Sequence, residues 1–357
     1  YNLSTNEWTW IKGDSTNDNF GNYGSQGIPA PNNKPGGRSS STAWTDATGN
    51  FWLFGGLGRT NNTTFGSLND LWKYNAVTNE WMWVKGNNTV NNNPSVFGVK
   101  GVSSPLNNPG SRTSASTWVG QNGNLWCFGG RGRAYISTSQ SSFLNEIWKF
   151  NTSISEWTWV DGDDQVGNYG IYGSLGVSNI LNNPGSRNGS SNWTGQDNNL
   201  WLFGGEGYGN NTITSGKLND LWKYNTQINE WTWIKGDSGI NKSASYGNKG
   251  VSVTTNKPGG RVAATTWIDG SGNFWLFGGM GLTNNATTGR LNDLWKYNPQ
   301  INEWVWINGD SSINKVSIYG PAGSPGSSYK PGGRENAITW VDGLGNFWLF
   351  GGFGLAT

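Results

Sequence analysis

Leu68-Asn69-Asp70-Leu71-Trp72-Lys73-Tyr74-Asn75, a four-residue gap, then Glu80-Trp81-Met82-Trp83: this stretch decides the fold. Both arms are short, rich in aromatic and branched residues, and bounded by asparagine and glycine, which is strand chemistry with a tight turn between. Paired tryptophans two residues apart, as also at Trp8 and Trp10, have the period of a strand with one packed face.

Outward from that hairpin, Glu-Trp-x-Trp recurs at Glu7, Glu80, Glu156, Glu230 and Glu303, in steps of 73, 76, 74 and 73 residues. Four cassettes keep a fixed order. Cassette a opens at Pro-Gly-(Gly/Ser)-Arg, giving Arg38, Arg112, Arg187, Arg261 and Arg334, with a tryptophan six residues on. Cassette b is Phe-Trp-Leu-Phe-Gly-Gly or a close variant, and places Trp52, Trp126, Trp201, Trp275 and Trp348. Cassette c is the Leu-Asn-Asp-Leu-Trp-Lys-Tyr-Asn element, and cassette d the Glu-Trp-x-Trp element. Five tryptophans in each of five repeats would make 25; the chain has 24 because one cassette c is missing, so no tryptophan is left over for a special site. Repeats therefore run over approximately 1–75, 76–151, 152–225, 226–299 and 300–357. A repeat array can hold all 357 residues as one domain.

A glycine pair after an apolar strand, then Asn-Asp-Leu-Trp-x-Tyr, then a further tryptophan, resembles the kelch repeat. The resemblance implies an all-β, kelch-like β-propeller of five blades, each of four antiparallel strands. It departs in length, since kelch repeats run to about 50 residues. The excess lies mostly between cassettes d and a. The chain opens at Tyr1-Asn2, like the tail of a cassette c, and ends just after a cassette b. The last blade is thus expected to be closed by both termini. Its absent strand c would come from a longer natural chain or from a neighbouring copy, which could link propellers into a filament.

Alternating strand direction puts the b–c and d–a connections on one face, and these are the long ones. Loops on a rigid scaffold are where function concentrates. Each d–a loop carries an aromatic-Gly-x-x-Gly motif, at Tyr23, Phe97, Tyr172, Tyr246 and Tyr319. These five aromatics either plug the loop onto its blade or form a ring of platforms for a sugar or protein partner. The five repeated arginines read as structural, each bonding backbone carbonyls or a carboxylate between blades. Asp70, Glu146, Asp220 and Asp293 of cassette c, and the five glutamates of cassette d, read as their partners or as turn caps.

Recurrence argues against catalysis, which needs a singular residue. No catalytic residue, metal site or cofactor is assigned. The chain has no histidine and one cysteine, Cys127, which excludes histidine-based nucleophilic triads, imidazole copper or zinc sites and intrachain disulfides. Cys127 stands where other repeats have leucine and reads as a small buried hydrophobe. Asp161, Asp163 and Asp164 form an acidic spot without a repeated ligand pattern. A net charge of +2 with 13% charged residues is too weak for a nucleic-acid footprint, and no apolar run is long enough for a membrane span.

Sequons at Asn62, Asn87, Asn210 and Asn285 fall in long loops, as glycosylation of a secreted or cell-surface protein requires. The expectation is a non-catalytic extracellular binding or scaffold propeller, an adhesion module or a subunit of a surface assembly. Its protein or glycan partner would lie on the long-loop face. A lectin is the alternative, and a carbohydrate-active enzyme ranks last.

Overall fold

The computed structural model describes residues 1–2, 4–61, 64–90, 93–134 and 142–356. The protein is all-β, with antiparallel pairing throughout its sheets and, among the described residues, no α-helix. The four cassettes become four strand positions. In the third unit, Ser191–Thr194 pairs with Leu200–Gly207, which pairs with Gly216–Asn225, which pairs with Glu230–Lys235. The first unit repeats this with Thr42–Thr45, Phe51–Arg59, Phe65–Asn75 and Glu80–Lys85. The second and fourth follow the same order.

Four of the five d–a loops guard the outer edge of the unit they enter. Ser178–Asn179 adds a short strand outside Glu230–Lys235, and Ser103–Ser104 does so outside Glu156–Asp161. The last glycine of the aromatic-Gly-x-x-Gly motif donates its N–H to the second tryptophan of strand d: Gly27 to Trp83, Gly101 to Trp159, Gly176 to Trp233 and Gly250 to Trp306. The excess length of the repeat is thus edge protection. The first glycine is required: Gly24 has φ +59°, and a Cβ there would collide with the Asn33 side-chain oxygen.

Neighbouring units lock together by one relation repeated. The cassette a indole donates to a cassette b carbonyl of the next unit: Trp44 to Trp126 at 3.0 Å, Trp118 to Trp201 at 3.1 Å, Trp193 to Trp275 at 3.3 Å and Trp267 to Trp348 at 3.1 Å. The last phenylalanine of cassette b meets the first cassette d tryptophan of the next unit: Phe54 with Trp157, Phe128 with Trp231 and Phe203 with Trp304, at 5.3–5.5 Å between ring centroids. Along the innermost turns, backbone N–H groups bond from Ser114 to Ser40, Gly189 to Ser114, Ala263 to Gly189 and Asn336 to Ala263. Residues of all five units around these turns line one cavity of about 660 Å³.

Among the described residues the fifth unit has the strands Arg334–Glu335, Ile338–Val341, Phe347–Phe350 and Phe353–Gly354. Its expected closure by the N-terminal Glu-Trp-x-Trp is corrected by the structure. Trp8 lies against Phe350, 5.2 Å between centroids, the relation that elsewhere joins strand b to strand d of the following unit. Lys12 donates to the Asn79 carbonyl as Lys235 does to that of Asn302, which sets the N-terminal segment just ahead of the first unit. Asn2 bridges Glu7 as Asn75 pairs with Glu80. The N-terminal hairpin therefore occupies a sixth position, between the fifth unit and the first. Sequence order does not reveal this placement.

Candidate binding site

Four units carry the same buried knot. Arg187 is the clearest case. Its Nε donates to the Gly185 carbonyl and Nη1 to that of Gly204, while Nη1 and Nη2 grip both oxygens of Asp220 at 2.8 Å. Tyr172 donates its hydroxyl to the same carboxylate at 2.6 Å, and its ring packs on Trp222 and Trp233. Charge pairing, three backbone or phenol partners and aromatic walls together make the burial tolerable. Arg38 with Asp70 and Tyr23, and Arg261 with Asp293 and Tyr246, repeat the arrangement. All three partners belong to one unit, so the arginine braces a blade-like sheet internally and does not bridge between neighbours.

The second unit varies the theme. Phe97 replaces the tyrosine and Glu146 the aspartate, and Arg112 meets Glu146 through one oxygen at 2.6 Å. Burial pushes the Glu146 carboxyl above its ordinary value, against the lowering pull of Arg112. Losing the phenol donor removes one of the groups that favour the ionised form.

The burial of Tyr23, Phe97, Tyr172 and Tyr246 corrects their expected role as binding platforms. Each is the lid of an arginine knot and presents no face to solvent. Tyr319 differs: it is 65% exposed, against 8% for Tyr23. No strand c of the fifth unit lies among the described residues, and within them Tyr319 has neither a tryptophan to lie on nor a carboxylate to meet. Arg334 keeps the framework bonds of its counterparts, to the Gly332 and Gly351 carbonyls and to Ser317 Oγ. Among the described residues no carboxylate pairs with it. Ser317 and Arg334 instead stand by the Tyr319 hydroxyl and hold it below the usual tyrosine value.

Arg334, Tyr319, Tyr329, Leu349 and Phe350 line an open cleft of about 510 Å³. Tyr329 occupies the loop position at which the other units have Asn33, Asn107, Asn182 and Asn256. Those asparagines are buried and donate to a carbonyl of their own loop, such as Asn33 to Ile28. Among the described residues strand Phe347–Phe350 pairs only with Ile338–Val341, and Phe350 is 52% exposed. Among the described residues the cleft thus combines a guanidinium without a carboxylate partner, two partly exposed tyrosines and a strand paired on one side. Sequence reasoning named Tyr319 and Arg334 as members of rings. The signal that sets them apart, the single missing cassette c, was visible in the tryptophan count.

Of the sequons, Asn87, Asn210 and Asn285 are exposed in loops, and Asn62 lies outside the described residues. Asp163 is taken up by Asn145, and Asp161 faces Lys100 at 3.5 Å; no group of three metal-binding side chains occurs among the described residues.

No family model matches the chain, and no curated protein matches it. Among solved structures it is similar to one described as the structure of YjhT, at 15% identity, covering 89% of this chain and 78% of that one, with a TM-score of 0.49. A likeness this distant carries no weight for function.

Proposed function

We propose that this chain is a non-catalytic binding or scaffold protein of the extracellular space, its units the blades of a kelch-like β-propeller with six blade positions. The repeated strand order, the unit-to-unit contacts and the shared inner cavity support the propeller. One observation carries the reading: in four units the repeated arginine is buried and met by a carboxylate of the same unit, so the recurrent charged groups serve as braces of the scaffold.

The lectin alternative loses its ring of platforms, because four of the five aromatics are buried. Exposed sequons at Asn87, Asn210 and Asn285 support a secreted setting. The test is to probe the folded protein against a glycan array and a peptide array. Peptide ligands without glycan binding support the proposal. Glycan binding favours the lectin, and glycan turnover refutes the non-catalytic reading.

A further inference from the structure

We propose that Asn122 is a deamidation site of the native protein, the one of its three Asn-Gly pairs that the fold leaves able to react. Conversion gives the turn between cassettes a and b of the second unit the acidic residue that the third unit has by sequence.

Asn-Gly occurs at Asn122-Gly123, Asn188-Gly189 and Asn308-Gly309. In such a pair the glycine nitrogen attacks the asparagine Cγ. A C–N bond closes a five-membered imide, the Cγ–Nδ2 bond breaks, and ammonia leaves carrying the amide proton. Water then opens the ring at either carbonyl, leaving an aspartyl or isoaspartyl residue. Glycine favours the step because no Cβ crowds the nitrogen. The step also needs the peptide between the two residues to turn, and that is a property of the fold.

Two of the pairs are fixed. Asn188 ends the strand Arg187–Asn188, and the Gly189 N–H is committed to the Ser114 carbonyl at 2.9 Å in the innermost turns. A Cβ at Gly189 would stand 2.5 Å from Val262 Cγ2, so this peptide has no room to turn. Asn308 ends the strand Glu303–Asn308 opposite Leu294. Its carbonyl accepts from Trp306 Nε1 at 2.7 Å, and the Gly309 N–H is held by Asn308 Oδ1 at 2.8 Å. A Cβ at Gly309 would fall on the Asn292 carbonyl. Asn122 is different. It lies exposed in the three-residue turn Gln121–Gly123. Beyond the chain neighbours, the nearest described atom to a Cβ at Gly123 is Thr152 Oγ1, at 3.9 Å.

The third unit shows that the product fits. Its turn reads Gly195-Gln196-Asp197-Asn198-Asn199, against Gly120-Gln121-Asn122-Gly123-Asn124 in the second. Both turns close with the same bond, from the Gly120 N–H to the Asn124 carbonyl and from the Gly195 N–H to that of Asn199, each at 2.9 Å. Asp197 accepts from the Asn199 backbone at 3.2 Å and from its side chain at 2.6 Å. A carboxylate at position 122 has the same two donors on Asn124. Asn122 takes φ +61°, a left-handed conformation that Asp197 does not take, so the second unit's turn also has backbone strain to relieve.

The test holds the native protein in warm, mildly alkaline buffer and follows each Asn-Gly peptide by proteolytic mapping and mass spectrometry, with a sample in denaturant alongside. In denaturant the three pairs should convert at similar rates. In the native protein Asn122 should convert at least about tenfold faster than Asn188 or Asn308. Equal native rates at the three pairs overturn the proposal, and so does native protection of Asn122 as complete as that of Asn188. Asn122→Gln should abolish the mass gain of amide-to-acid conversion in its peptide; a gain that persists moves the site to Asn124 and overturns the assignment. Asn122→Asp, made directly, should fold and melt no lower than the parent chain. A lower melting temperature overturns the third unit's turn as the template for the product.

Discussion

Trp8 rests on Phe350 with ring centroids 5.2 Å apart, as Trp157 rests on Phe54 at 5.5 Å, yet Trp157 is fully buried and Trp8 is 63% exposed. The two pairs share a geometry and differ in what surrounds them. Trp157 is enclosed by two complete units; Trp8 has only its own hairpin and half a unit. Trp157→Ala should therefore cost about 3–5 kcal/mol, as large-to-small core changes do, and Trp8→Ala well under half of that. Chemical denaturation of the two variants measures the difference, and equal losses would mean that Trp8 is enclosed in solution.

The arginines should divide the same way. Removing Arg187 leaves Asp220 buried and unpaired, a loss on the order of 3–5 kcal/mol. Arg334→Ala strands no carboxylate among the described residues and should lower stability by less than about 1 kcal/mol. Thermal melting of both variants reads the contrast directly. A large loss at Arg334 would place a carboxylate on it that the structure does not show.

The second unit offers a repair. Phe97→Tyr with Glu146→Asp installs the knot of the other units, and the pair should gain about 1 kcal/mol beyond the sum of the single changes. Burial raises the folded-state value of the Glu146 carboxyl, Arg112 opposing. Its contribution is thus fully present below the ordinary glutamate value of about 4.3 and is lost as pH rises through the higher folded value. The double variant should lose less stability over that rise, measured as the slope of Tm against pH.

Acid should act through a different set of groups. The Trp348 indole and Asn346 bring the Asp342 carboxyl down to about 2. At Asp269 partial burial opposes ionisation, but bonds from Trp275 and Asn273 outweigh it and hold the group below the usual range. A depressed folded value means stability present above the ordinary aspartate value of about 3.9 and lost as pH falls through the folded one. Asp269→Asn should make melting less steep in pH between about 4 and 2. An unchanged slope would show that this turn opens before the rest unfolds.

Cys127 is enclosed in strand b of the second unit, and burial pushes its thiol up to about 12, with Arg112 pulling the other way. A thiol so placed has almost no thiolate at pH 8. An alkylating reagent should leave the native protein unmodified and label it fully in denaturant; rapid native labelling would mean local opening of that unit.

Much of this molecule is a local matter, and so the sequence determined it. Strand positions, turn positions and the five-fold recurrence follow from side-chain period and glycine placement, which act over a few residues. The burial of Cys127 followed from the leucines at its equivalents. The missing cassette c was also countable, because a repeat makes an absence visible. The tertiary structure decided what depends on residues far apart in the chain. Tyr23 and Tyr319 carry the same motif, but one is a buried lid and the other a surface ring, since among the described residues only Tyr23 has a strand c to cover. Arg187 and Arg334 share a cassette and differ by a carboxylate 33 residues downstream of the first. Trp8 lies on Phe350, and not in the fourth strand of the fifth unit, a contact between residues more than 300 apart in the chain, where periodicity has no say.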